Sequence, residues 1–345
     1  MKIVMKKTSL KKPHMHLTRF IKPVRRHQQG VALLTALLIV AFATIIAVNI
    51  IERQQYDVQR LQNILLGQQA YLFALGGEAW AKSVLFRDKN NSNTSKTDNL
   101  FEDWAKPLPS TFIEGGTISG KINDLQGRFN INNLYIKDRN DLSQINRLKE
   151  QKALFERLLR VLEISNPISD AIIDWMDTDA DVTFPRGAED QNYLEKSAGY
   201  RAGNKKISNI TELLLVEGIT ARIYKKLEPY ICALPEQTTI NINTAPAEVI
   251  AALSDQLDLE KAISIVENRT SAFDTVKKFI DKTKGLTTNK TSYELVITPL
   301  IGVSSRYFEV QAYVQIDKIR NNLVSTLKRT STNGIETLSR SPGMN

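Results

Sequence analysis

Residues 31–51, VALLTALLIVAFATIIAVNII, carry no charged side chain and only Thr35, Thr44 and Asn49 as polar ones. A helix rises 1.5 Å per residue, so this run spans roughly 32 Å, the thickness of a bilayer's hydrocarbon core. Residues 1–30 hold nine Lys/Arg and no acid. By the positive-inside rule the N-terminus stays in the cytoplasm and everything after residue 51 lies outside. A secretory signal peptide would have a shorter apolar region, about 7–15 residues, and then a small-residue cleavage site. Here the run is longer and no A-x-A-like site follows, so a single-pass anchor is expected.

That N-terminal segment also explains the charge. The chain carries a net +9, which suggests a nucleic-acid or membrane surface until it is located. Without residues 1–30 the balance is 37 basic against 37 acidic side chains, so the body has no general attraction for phosphate. All three histidines (His14, His16, His27) fall in the same segment, and Cys232 is the single cysteine. Residues 31–345 can therefore form no Cys–His pair, no Ser–His–Asp triad and no common zinc site, and no internal disulfide. The body is expected not to be an enzyme.

Downstream, Leu61, Leu65, Leu72, Leu75 and Ala79 recur at near-helical spacing and extend the helix to about Phe86. A polar loop follows over 88–99. TISGKINDLQGRFNINNL (117–134) reads as two strands around Gln126-Gly127, and RYFEVQAYVQI alternates Phe308, Val310, Ala312, Val314 and Ile316 as a half-buried strand. NNLVSTLKR (321–329) is its hairpin partner. Residues 140–300 read as helical. The order strand, helical insertion, strand predicts an α+β fold, with one α/β domain (52–139 and 301–330) interrupted by an α domain (140–300). The tail 331–345 is Ser/Thr/Gly-rich and is expected to be disordered.

Two segments of the insertion, SNITELLLVEGITARIYKKLEPYI (208–231) and NINTAPAEVIAALSDQLDLEKAISIVENRTSAFDTVKKFI (241–280), resemble helix-hairpin-helix (SAM-like) units. The NTAPAEV and R-x-x-x-F pieces are similar to those of extracellular DNA receptors, so a membrane-anchored DNA-binding protein of a competence-type pilus is the rival reading. Such units grip phosphate with backbone N–H groups of a G-x-G turn and nearby cations. The first repeat has Gly218-Ile219-Thr220, lacking the second Gly. The second has Ser254-Asp255-Gln256-Leu257-Asp258, with no Gly and two acids. The pattern of the unit is kept and the phosphate grip is not, so no nucleic-acid partner is expected.

Between Trp175 and Tyr193, Asp177, Asp179 and Asp181 alternate, and Glu189 and Asp190 follow Pro185-Arg186-Gly187. Closely spaced carboxylates in a loop can supply several of the six to eight oxygens a calcium ion takes. The spacing is not that of an EF-hand, since Val182 stands at the sixth loop position and Ala188 at the twelfth. A solvated acidic loop and a calcium site both remain open on these residues alone.

The junction RRHQQG–VALLTALLIV resembles the class III leader of type IV pilins and type II secretion pseudopilins. In order along the chain, SGKINDLQGRFNINNL, AIIDWMDTDAD…GAEDQNYL, SNITELLLVEGI and INTAPAEVIAAL are similar to the minor pseudopilin K family of type II secretion, over Val24 to about Lys328. That resemblance implies a cleaved prepilin leader (1–30), cut after Gly30 by prepilin peptidase, and methylation of the new N-terminus at Val31. It implies a transmembrane helix (31–51) in the inner membrane, with a pilin-like periplasmic domain of one long helix and a small antiparallel sheet carrying an inserted all-α domain. It further implies a place at the pseudopilus tip with minor pseudopilins I and J, and calcium in the acidic loop, with Asp177, Asp179, Asp181, Glu189 and Asp190 as candidate ligands. Val31 departs from the family's usual Phe or Met, and Thr35 from the usual Glu that would meet a neighbouring subunit's terminal amine.

Overall fold

The computed structural model describes residues 29–91, 96–138, 140–165, 167–286, 290–330 and 334–343. The leader expected over 1–30 therefore lies outside the described residues except at its last two positions. The chain divides into two compact units, residues 1–62 and 63–345.

The first unit is described from Gln29, as the N-terminal part of helix α1 (Gln29–Asn90). Residues 30–62 are exposed throughout, and α1 is the one described helix long and apolar enough to cross a membrane. Its few polar side chains turn inward on their own backbone: Thr35 Oγ1 donates to Ala32 O at 3.0 Å and Thr44 Oγ1 to Val40 O at 2.7 Å. Such self-satisfaction is what a lipid environment demands of a hydroxyl.

In the second unit, α1 residues 63–90 lie across a five-stranded sheet. The chain forms β1 (Leu108–Ile113) and β2 (Gly116–Asp124), then leaves through β3 (Phe129–Asn130). A helical region follows with α2 (Leu142–Val161), α3 (Ser169–Met176), α4 (Asp190–Leu194) and α5 (Ala221–Leu227). The short β4 (Ile231–Cys232) and β5 (Ile240–Asn241) lead into α6 (Ala247–Ala251), α7 (Leu259–Glu267), α8 (Val276–Lys284) and α9 (Lys290–Ile297). After β6 (Ile301–Gly302) the chain returns as β7 (Tyr307–Ile316), β8 (Ile319–Arg329) and β9 (Ile335–Pro342). The sheet order is β1-β2-β7-β8-β9, all antiparallel, with Asp124 opposite Phe308. The helical region thus hangs between two strands that are neighbours.

The predicted alternation of β7 holds: Phe308, Val310, Ala312, Val314 and Ile316 are buried and face α1. The helix face that meets them is not the leucine stripe. Ala70, Ala74, Gly77 and Ala81 are buried there, with Val84 and Leu85, whereas Leu61, Leu65 and Leu72 are exposed. Small side chains let the helix axis approach the sheet. A Cβ at Gly77 would stand 3.2 Å from both Ala312 Cβ and Ile118 Cδ1.

The tail expectation is overturned. Residues 335–342 form β9, the outer strand beside β8. Polar composition suggested disorder, but a strand can be held by its ladder and by one anchored face. Ile335 packs on the core, while Thr337 and Arg340 reach the buried carboxylate of Glu78 on α1. In the insertion, the helix expected at the start of 208–231 is a 3-10 turn, Ile210–Leu215, capped by Asn209.

Asparagines stitch the insertion to its surroundings. Asn132 Nδ2 donates to Ile207 O (2.8 Å) and Leu234 O (2.9 Å), and Asn130 and Asn133 donate to Glu236 O and Thr238 O. Asn241 Nδ2 reaches Asp98 O, Asp124 Oδ2 and Ser305 Oγ, each at 2.9 Å. These amides satisfy the backbone of buried segments that no ladder serves. The insertion's own core includes a Phe129–Phe155 stack, with ring centroids 5.2 Å apart.

Candidate metal centre

The acidic centre begins on α3, all eight of whose residues are buried. Asp174 lies on that helix and Asp177 is its C-cap, one turn later. Both are buried where the helix dipole is negative, a position that disfavours carboxylates unless a cation answers them. The chain then runs outward and turns back. Thr183 N–H donates to Asp174 Oδ2 at 3.0 Å, and Gly187 N–H donates to Thr183 O at 2.7 Å. Gly187 is required here, because a Cβ would stand 2.0 Å from Asp174 Oδ2. The return brings Glu189, buried, to the start of α4.

Asp174, Asp177 and Glu189 each offer a carboxylate oxygen, and these oxygens lie within 4.8 Å of one another. Oxygens at that spacing can share one cation at the about 2.3–2.6 Å distances calcium uses. Glu189 Oε1 is buried without a hydrogen-bond donor. Burial first, then the charges of Asp174, Asp177 and Asp179, push the Glu189 carboxyl up to about 7. A carboxylate this strained by its neighbours fits a site whose stable state includes a cation.

Of the five sequence candidates, the fold gathers Asp177 and Glu189. Asp179 is half-buried, close enough to act on Glu189 by charge, and its Oδ1 accepts from Asp181 N–H at 3.0 Å. Asp181 is exposed. Asp190 is turned to the next segment, accepting from Ala202 N–H at 2.9 Å with Arg201 at 3.7 Å. Asp174 is the residue the sequence reading missed. It lies inside the helix, three residues before Asp177, and helical periodicity could have placed both on one face. An aromatic group backs the centre: Trp175 meets Tyr193 edge-on at 5.0 Å, and Tyr193 stacks on Tyr200 at 5.5 Å.

A second acidic group, Asp88, Asp98 and Glu102, has the same spacing. Its cation belongs to the protein: the Arg329 guanidinium pairs with Asp98 and, at 2.6 Å, with Asp88. Glu102 is held by Asn99 and Trp104 Nε1, and burial, followed by the charges of Asp88 and Asp98, pushes its carboxyl up to about 7.

The hairpin turn of the second helix-hairpin-helix segment is also answered internally. Asp255 pairs with Arg160 at 2.6 Å and with Arg157 at 3.6 Å. Buried Arg269 donates to Asn243 O and Ala245 O, so its charge serves the fold.

Residues 127–236 and 240–298 match family models described as type II secretion system (T2SS), protein K. The chain is similar to type II secretion system protein K of Pseudomonas aeruginosa, 36% identical over 334 residues, covering 93% of this chain and 94% of the relative. It is 31% identical to the protein of the same description from Aeromonas hydrophila, covering 93% and 99%. In fold it is similar to a chain of the crystal structure of the GspK-GspI-GspJ complex from the enterotoxigenic Escherichia coli type 2 secretion system. There the TM-score is 0.68 at 23% identity, covering 83% of this chain and 100% of that one.

Proposed function

The chain belongs to the type II secretion system protein K family, and on that footing we propose that it caps the tip of a periplasmic pseudopilus that supports export of folded proteins. The observation that carries this reading is the insertion, which enters and leaves the sheet between the neighbouring strands β2 and β7. A subunit stacked beyond this one would have to clear that added bulk, which favours a terminal place. Thr35 supports the same position. It offers no carboxylate to a neighbour's terminal amine, and its hydroxyl is satisfied within its own helix.

The partners we assign are the minor pseudopilins I and J, by likeness to the solved complex. The exposed Leu65 and Leu72 supply apolar surface for helices of such partners. The apolar run 31–51 anchors the chain in the inner membrane with its body in the periplasm. Prepilin peptidase cuts after Gly30 and Val31 is methylated. A Cβ at Gly30 meets nothing within 4 Å, so the fold itself does not require glycine there and the peptidase is left as the reason for it.

Calcium is the cation we assign to Asp174, Asp177 and Glu189, with carbonyls and water completing its shell. It would neutralise three buried charges and fix the loop between α3 and α4. The role is structural and non-enzymatic, and duplex DNA is not a ligand. The test is co-purification: the processed full chain in detergent should bring down pseudopilins I and J together. Failure to associate with either, while the chain remains folded, would overturn the assignment.

A further inference from the structure

On the sheet face turned away from α1, the sheet and the insertion enclose a cleft of about 440 Å³, within the roughly 300–1,000 Å³ range of small-molecule sites. Along β7 the cleft wall carries polar side chains tied in series. Asn123 Nδ2 donates to Glu309 Oε1 at 3.1 Å, Gln311 Nε2 donates to the same oxygen at 2.7 Å, and Tyr313 Oη donates to Gln311 Oε1 at 2.6 Å. Asn322, opposite Tyr313 on β8, has its Oδ1 buried without a donor. Arg128 is half-buried in the lining, and among the described residues its side chain has no hydrogen-bond or ion-pair partner. Asn209 and Glu228 face these groups from the insertion.

This lining selects a ligand class. Along β7 and β8 the wall is the face of a sheet whose main-chain groups are spent in the ladders, so an extended peptide would gain main-chain bonds only along the edge strand β9, which borders one side of the cleft. Its charged groups are one arginine and two glutamates, which favour neither a polyanion nor a polycation. What remains is a set of fixed side-chain donors and acceptors beside the exposed ring of Tyr313. That set suits a ring whose edge bears hydroxyls and whose face is apolar. We propose that this cleft binds a neutral saccharide, with Tyr313 against the sugar face and Arg128 and Gln311 on its hydroxyls. The site is separate from the acidic centre and does not depend on the assignment to the pseudopilus tip.

The test uses the full chain in a detergent without a sugar headgroup. Soluble β-1,4-linked N-acetylglucosamine oligomers and α-1,4-linked glucose oligomers are titrated, and binding is read by ligand-observed NMR. Saturable binding to one series is expected, weakened by about tenfold or more in Tyr313→Ala and in Arg128→Ala. Neither residue lies in a core cluster, so both variants should melt with the parent, and EDTA should leave the binding unchanged. No saturable binding to either series up to about 10 mM would overturn the proposal. So would equal binding by the parent and both variants, or displacement of the sugar by an unrelated extended peptide.

Discussion

Arg340, on the last strand, places Nε and one terminal nitrogen on the two carboxylate oxygens of Glu78 at 2.7 and 2.9 Å. Burial would raise the Glu78 carboxyl. Hydrogen bonds from Arg340, Thr337, Lys82 and Ser325 outweigh it and hold the group well below the usual carboxylate range. The pair joins the helix to the strand that closes the sheet, so its loss is felt on both.

Arg340→Ala is expected to destabilise the protein, because it removes one of the two cations on the buried Glu78 carboxylate and leaves Lys82 with the Ser325 and Thr337 hydroxyls, while Glu78→Gln with Arg340→Gln together should cost less than Arg340→Ala alone. Denaturant melts of the parent and the two variants check this. The depressed Glu78 pKa contributes stability above the unfolded value, near 4.3, that is lost as pH falls below it. The parent should therefore lose more stability on acidification than Glu78→Gln does.

Cation binding at Asp174, Asp177 and Glu189 should raise the melting temperature in calcium over EDTA. At a hundredfold excess over Kd the gain is about 2.7 kcal/mol. Asp174→Asn should abolish the shift, and Asp181→Asn should keep it. An Asp174 variant that retains the full shift would remove this residue from the ligand set.

The same centre predicts a pH dependence of opposite sign to that of Glu78. The Glu189 carboxyl is raised to about 7 in the folded protein, so without a cation its stabilising contribution is present below about 4.3 and lost as pH rises through 7. In EDTA, Glu189→Gln should flatten that decline. In saturating calcium the parent should show no such decline.

Gly187→Ala should cost more than an ordinary loop substitution, about 2 kcal/mol or more, and should abolish the calcium shift. The added carbon would occupy the space of Asp174 Oδ2 and of the Thr183 backbone. By contrast Gly30→Ala should leave the melt unchanged and block the mobility shift given by prepilin peptidase.

Arg329→Met removes the guanidinium that pairs with Asp88 and Asp98 and is expected to cost about 3–5 kcal/mol. Glu102→Gln should cost less than that, because its single amide oxygen still accepts from one of the two donors, Asn99 Nδ2 or Trp104 Nε1, while its NH2 faces the other. Equilibrium unfolding of the two variants distinguishes them.

The strands with strict alternation, β7 and β8, were legible because one face is buried against α1 and the other is not. The face of α1 was misread for a physical reason. Periodicity finds large apolar residues, but close helix–sheet packing selects small ones, so Ala70, Ala74 and Ala81 went inward and Leu72 outward. β9 was invisible to composition because its hold comes from a ladder and from Arg340, a residue that reads as solvated. In the acidic centre, proximity along the chain suggested Asp181 and Asp190. The fold chose Asp174 instead, because a helical turn and a returning loop bring it to Glu189. The family resemblance carried the order of the segments; it could not say which carboxylates converge.

The adjacency of β2 and β7 has a kinetic consequence. Asp124 and Phe308 pair directly, yet residues 125–307 separate them along the chain. Loop-closure entropy makes such a contact late, while the β7–β8 hairpin can form as soon as it is synthesised. Condensation of the inserted helices would shorten that loop, so the β2–β7 pairing is expected to form after the β7–β8 hairpin.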